Sequence, residues 1–284
     1  MRCRYREKVY KCGEYLEADI YPVFHEGGGK SRRRARYKPT SAMQARLNQR
    51  RAERELTRLL NENFTREDVE VTLTYTDEHL PERYEQAYKD AVNYVRRVKR
   101  LRTRKGLKGG ELKYVIVPGG GRFHFHIVMT GGIDRDELER LWGYGYANSK
   151  RLKFSEGGVA GLAHYIANQL SESAYEGEDL FGGMDIDTET GEVTEERVRK
   201  KGARRWSCSK NLVRPAPEVR EGRISSRRAE ELATVDSDSR AAYERLYPGY
   251  TLSSARGYYN PENGGYYIQV MMRKMRNSEV RMRN

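Results

Sequence analysis

Arg122-Phe123-His124-Phe125-His126-Ile127-Val128-Met129 sets two of the chain's five histidines two residues apart inside an apolar, strand-like run. Successive side chains of a β-strand leave opposite faces, so Phe123, Phe125 and Ile127 share one face and His124, His126 and Val128 the other. The phenyl face suits packing on helices. The imidazole face leaves two ring nitrogens converging on one point of an open sheet surface, a geometry suited to a divalent metal ion. Two strand histidines in isolation are more often surface or hydrogen-bonded residues than ligands, so the reading turns on what surrounds them.

Immediately upstream, Lys113 to Val117 is an apolar strand that Pro118-Gly119-Gly120-Gly121 turns directly into the histidine strand. Further back, Val69, Val71, Leu73 and Tyr75 alternate with Glu70, Thr72, Thr74 and Thr76, the clearest strand in the sequence. Asp77-Glu78-His79-Leu80-Pro81 closes it. Tyr84 to Arg104 then reads as a long helix, with Ala87, Tyr88, Ala91, Tyr94, Val95 and Val98 on its buried side. Strand, helix and hairpin in this order predict an α+β fold, an antiparallel β-sheet with helices on one face in a two-layer arrangement.

Downstream, Asp134 to Trp142 reads as a short helix capped by Asp134, Gly143 to Asn148 as an aromatic-rich loop, and Leu152-Lys153-Phe154 as a brief strand. Gly158 to Leu170 is helical, with Val159, Leu162, Ala163, Ile166 and Leu170 as its apolar stripe. Tyr165 lies off that stripe, on the flank shared with Gly161 and Asn168, where its hydroxyl is set to reach a cleft rather than the core.

The remaining chain divides around this core. Residues 1–65 read as a basic N-terminal region with a short strand at Ala18 to Phe24 and a helix at Ala42 to Asn61. Residues 66–215 form the core, with an acidic, glycine-rich loop inserted at 171–200, and 216–284 an extension with a helix at Ser225 to Thr234 and a strand at Gly265 to Met272.

Composition narrows the partners. The 284 residues carry 54 Lys and Arg against 41 Asp and Glu, a net charge of +13, which favours a polyanion bound through phosphate contacts, with nucleic acid first among them. Twenty-one tyrosines offer rings that can stack on unpaired bases as well as fill a core. No apolar run is long enough to cross a bilayer and no signal-peptide segment follows Met1, so the expected compartment is the cytoplasm, without a membrane partner. Three cysteines without C-x-x-C spacing indicate neither a disulfide framework nor a structural zinc site. Arg32, Arg33 and Arg34 sit in a basic tract that is either a phosphate-contacting arm or a solvated loop, and Lys150, Arg151 and Lys153 form a second cluster. Arg204, Arg205, Trp206 and Lys210 combine cations with an aromatic ring that could contact phosphates and a base together, a structural strand being the equal alternative.

Taken in order, Val71-Thr72-Leu73-Thr74-Tyr75, His124-Phe125-His126 and Tyr165 on a helix resemble the three motifs of the HUH endonucleases, specifically the rolling-circle replication initiators, or Rep proteins, of bacterial phages and plasmids. The resemblance covers residues 66 to 215. It implies a ferredoxin- or RRM-like two-layer sandwich in which His124 and His126 hold a magnesium or manganese ion that polarises a scissile phosphate. Tyr165 would attack phosphorus to give a 5′-phosphotyrosyl link and a free 3′-hydroxyl that primes replication. The implied partners are single-stranded DNA at an origin hairpin and, since no G-x-x-x-x-G-K-[ST] phosphate loop occurs, a host helicase and polymerase.

The chain departs from the family pattern in two places. Val117 to Gly121 holds no carboxylate where family members place a third ligand, which leaves Glu111 or Asp77 as substitutes, or else water and the DNA phosphate. Asn168 stands where the family's tyrosine motif has lysine, so a hydrogen-bond donor replaces a charge beside Tyr165. A single-stranded nucleic-acid-binding protein that does not cleave, and within the enzyme class a transposase or relaxase, are the competing readings.

Overall fold

The computed structural model describes residues 3–24, 41–108, 111–119, 121–155, 157–169, 184–186, 193–195, 206–234 and 239–275. The chain begins with a hairpin of β1 (Cys3–Cys12) and β2 (Tyr15–Phe24), followed by α1 (Ser41–Asn63), β3 (Val69–Tyr75), α2 (Tyr84–Arg104), β4 (Tyr114–Pro118) and β5 (His124–Met129). Next come α3 (Arg135–Arg140), β6 (Gly145–Arg151) and α4 (Ala160–Gln169). Within the acidic stretch read as a loop, β7 (Met184–Ile186) pairs with β8 (Val193–Glu195). The last elements are β9 (Ser207–Cys208), β10 (Glu218–Glu221), α5 (Ser226–Ala233), α6 (Ser239–Leu246), β11 (Tyr250–Asn260) and β12 (Gly265–Lys274).

The architecture is α+β, with two five-stranded antiparallel sheets of order β6-β3-β5-β4-β9 and β10-β1-β2-β12-β11. In the histidine sheet, Val71, Leu73, Phe125 and Ile127 turn to one side, where α2 covers them with Ala87, Ala91, Tyr94 and Val98. The end of β3 is braced there: Tyr75 donates to the Ala87 carbonyl, and the Trp142 indole donates to the Thr74 carbonyl at 2.8 Å. The Asp134 side chain caps α3 by accepting from the Asp136 and Glu137 amides.

Helices also reach the opposite face. Leu56, Leu59 and Leu60 of α1 and Ala163 of α4 bury Val115, Val117 and Val128 there, closing one end of the face and leaving the histidine end to the site. Gly145 to Arg151 is a strand rather than the expected loop and brief following strand: Tyr146, Asn148 and Lys150 point to open solvent, so this edge strand shows no apolar alternation. Leu152 and Phe154 pack on the α1 core without strand pairing.

In the other sheet β12 pairs with β2, so segments from the two ends of the described chain share one core with α5 and α6. Before Ala18, β1 and most of β2 escape a hydrophobic-period reading because Glu7 and Glu17 occupy fully buried positions.

Glu17 is the joint between the sheets. Its side chain is 1% exposed and accepts from Arg58 Nε and Nη2 at 2.9 and 2.8 Å and from Arg54, whose other contacts run to Asp19 at 2.6–2.7 Å. The Arg58 guanidinium also lies 3.6 Å from the centroid of the Tyr10 ring. Burial pushes the Glu17 carboxyl up, but hydrogen bonds and charge from Arg58 and Arg54 outweigh it and hold its pKa below the ordinary value. A depressed folded pKa contributes stability that is present above the unfolded value of about 4.3 and lost as pH falls through the folded one. Glu17→Gln is therefore expected to lower urea-unfolding stability at neutral pH by about 3 kcal/mol, the gap to wild type narrowing below about pH 4 as the native carboxylate protonates.

Candidate functional site

The register of three strands fixes the face on which the histidines stand. Thr72 pairs with His126 and Thr74 with His124, while on the other side of β3 Lys150 pairs with Glu70, Asn148 with Thr72 and Tyr146 with Thr74. Directly opposed residues share a face, so Tyr146-Thr74-His124, Asn148-Thr72-His126 and Lys150-Glu70-Val128 form three parallel rows. The imidazole rings of His124 and His126 lie 5.3 Å apart, centroid to centroid, at 80°.

Each ring is held by its Nδ1. In His124 it lies 2.9 Å from the Arg122 carbonyl oxygen; in His126, which is 2% exposed, it lies 3.1 Å from Glu70 Oε1 and 3.3 Å from Thr72 Oγ1. Acceptors at Nδ1 favour the tautomer with the proton there and the lone pair on Nε2, which is how a histidine is prepared to act as a ligand. Sequence alone does not single out Glu70 as a site residue. The signal that could have found it is the polar row Glu70, Thr72, Thr74, whose meaning depends on the antiparallel register with β5.

The glycine turn has a steric role. Gly119 donates its amide to the His124 carbonyl at 2.8 Å, and a Cβ on Gly119 would overlap the His124 imidazole itself. The absence of a side chain there is what leaves room for the ring. Asp77 and Glu111, the substitutes expected for a third ligand, are engaged elsewhere: Asp77 with Arg122 at 2.5 Å and Glu111 with Lys108 at 3.4 Å. Among the described residues no group of three or more His, Cys, Asp and Glu is gathered to hold a metal ion.

Tyr165 is brought to the histidines by α4. Its ring stands edge-on to that of His126, with centroids 5.5 Å apart, and is 52% exposed. Val159 and Ala163, one turn apart, bury the inner side of this helical segment, which leaves Tyr165 on its flank. The helix is pinned to α1 at its start, where the Val159 amide donates to Asn61 Oδ1 at 3.3 Å, and again where His164 Nδ1 lies 2.9 Å from Glu53 Oε1. Gly158, at φ 64°, lies so close that a Cβ there would run into the Asn61 amide. Asn168 belongs to α4, but its side chain lies outside the described residues.

The basic residues divide. Lys150 is exposed on the histidine face. Arg151 turns to Glu67, 2.5 Å away, and Lys153 lies exposed beyond the end of β6. Trp206 packs against the α1 core next to β9, which forms an edge strand beside β4, and Lys210 is exposed in the turn that follows. Arg32, Arg33, Arg34, Arg204 and Arg205 lie outside the described residues.

Residues 68–173 match the family model of the replication-associated protein ORF2. The matched stretch is less than half of the chain, and it takes in His124, His126 and Tyr165. It supports a Rep-like role in replication initiation, with DNA as partner. Comparison with curated proteins and with solved structures returned no match. No helix among the described residues is long and apolar enough to cross a membrane.

The close approach at the turn makes Gly119→Ala informative. The added methyl group is expected to displace the His124 ring and lower stability by about 1–3 kcal/mol, read as a shifted His124 imidazole resonance together with a lower urea midpoint. An unmoved resonance would contradict the packing described.

Proposed function

We propose that the chain nicks and rejoins single-stranded DNA at a replication origin through a tyrosyl phosphate on Tyr165, and so starts rolling-circle replication in the manner of HUH endonucleases. The observation that supports it is the meeting of His124, His126 and Tyr165 from β5 and α4 on one sheet face, within the stretch that matches the replication-associated family. Two imidazoles with Nδ1 engaged suit a divalent ion, magnesium or manganese, bound through His124 and His126, with water and a phosphate oxygen as its further ligands. When bound, such an ion supplies the charge that draws electrons from a phosphate and eases loss of the phenolic proton.

The rest falls to the chain. Tyr165 presents its oxygen beside His126 from a helix fixed at both Asn61 and Glu53, so attack needs little reorganisation. The tyrosyl oxygen bonds to phosphorus as the bond to the 3′-oxygen breaks; the phenolic proton passes to solvent and the departing oxygen takes one up. The products are a 5′-phosphotyrosyl link and a free 3′-hydroxyl, a substrate for a polymerase. A phenolate leaves readily enough for a 3′-hydroxyl to reverse the step, which suits joining as well as nicking. Lys150, on the same face, is placed to attract the phosphate backbone where Asn168 brings no charge. Strand separation requires a helicase from the host.

Incubation with single-stranded origin DNA and manganese is expected to give a covalent adduct that resists denaturing gels and vanishes in Tyr165→Phe. Binding without any adduct would favour a protein that holds single strands without cutting them. Glu70→Gln, which weakens the acceptor at His126 Nδ1, is expected to raise the manganese requirement for adduct formation about 10–100-fold while leaving the urea midpoint nearly unchanged.

A further inference from the structure

The β1–β2 sheet has a second face, turned away from α5 and α6. Strand pairing places Lys8 of β1, Tyr21 of β2, Tyr267 of β12, and Tyr258 and Arg256 of β11 on it. Arg54 and Arg58 of α1 engage only the end of this face that carries Glu17 and Asp19. At the other end, Tyr258 and Tyr267 are direct cross-strand partners whose rings stack with centroids 5.0 Å apart and planes 12° from parallel, and Tyr258 is 60% exposed. Two acids of the face are already matched to arginines, Asp19 to Arg54 and Glu221 to Arg6, which leaves the face net positive.

We infer that this face is a docking surface for unpaired DNA, distinct from the histidine face. A large ring exposed on an open sheet is unfavourable unless something covers it, and what covers it here must tolerate the neighbouring cations. Unpaired bases supply flat π-faces for Tyr258 to extend the stack, and the backbone supplies the charge for Lys8 and Arg256. A protein partner would gain little from two parallel rings set among cations. The choice of DNA over another single-stranded polyanion rests on the replication reading above; the stacking surface itself does not.

The test is fluorescence anisotropy of the full chain with a labelled oligo-dT of about 15 nucleotides, a length in the range of one single-strand site. Tyr258→Leu combined with Tyr267→Leu is expected to weaken binding about tenfold with an unchanged circular-dichroism melt. Lys8→Gln combined with Arg256→Gln is expected to flatten the slope of log K against log salt by about 1.4, roughly 0.7 per lost phosphate contact. Wild-type affinity in both folded pairs would overturn the proposal, as would heparin binding as tightly as oligo-dT without regard to the tyrosines. If no adduct forms with Tyr165 yet binding depends on Tyr258 and Tyr267, the nicking reading fails and this surface stands. An adduct alongside tyrosine-independent binding gives the reverse.

Discussion

A carboxylate stripped of water must be given its partners back, and Glu17 receives them from a helix that belongs to the other half of the molecule. Arg54 and Arg58 lie on one flank of α1, while Leu56, Leu59 and Leu60 of the same helix enter the core against Val115, Val117 and Val128. Asn61 and Glu53 of that helix hold α4. A single helix therefore relates one sheet, the histidine strand and the tyrosine. The placement of Tyr165 beside His126 is set less by α4 itself than by the charges that seat α1.

The site shows how a short polar row can be prepared by its surroundings. Glu70 and Thr72 fix one imidazole from a neighbouring strand, a backbone carbonyl fixes the other, and a residue without a side chain leaves the space in which that second ring lies. These contacts orient the rings before any ligand arrives, so little freedom is lost on binding. The tyrosine stays half exposed, as a group that has to meet a long polymer requires.

Much of this is legible in the sequence and some is hidden for identifiable reasons. The alternation from Val69 to Tyr75, the periodicity from Tyr84 to Arg104 and the Asp134 cap are local patterns, and the structure carries them at the same places. Which residues face His126 across the sheet is a matter of register, and register is non-local, so Glu70 reads only as one polar position among four. The edge strand β6 reads as a loop because its outward residues are Tyr146, Asn148 and Lys150, suited to an open face rather than a core. The β1–β2 sheet is masked by its own buried carboxylates and by β11, whose serines and glycine give no apolar period. It is also masked by distance, since no window of the sequence contains both β2 and β12.

That last pairing bears on how the molecule is made. Val270 lies across from Ala18, so on the ribosome β2 waits for nearly the whole described chain before its neighbour emerges. The strands and helices from Val69 to Gln169 are close in sequence and can collapse early, whereas the β2–β12 seam closes a very long loop and forms slowly. Until it closes, β2 is an exposed edge carrying Glu17, the anchor for α1. The order of synthesis thus sets an order of maturation, in which the histidine strand takes shape before the helix that positions the tyrosine is fully seated.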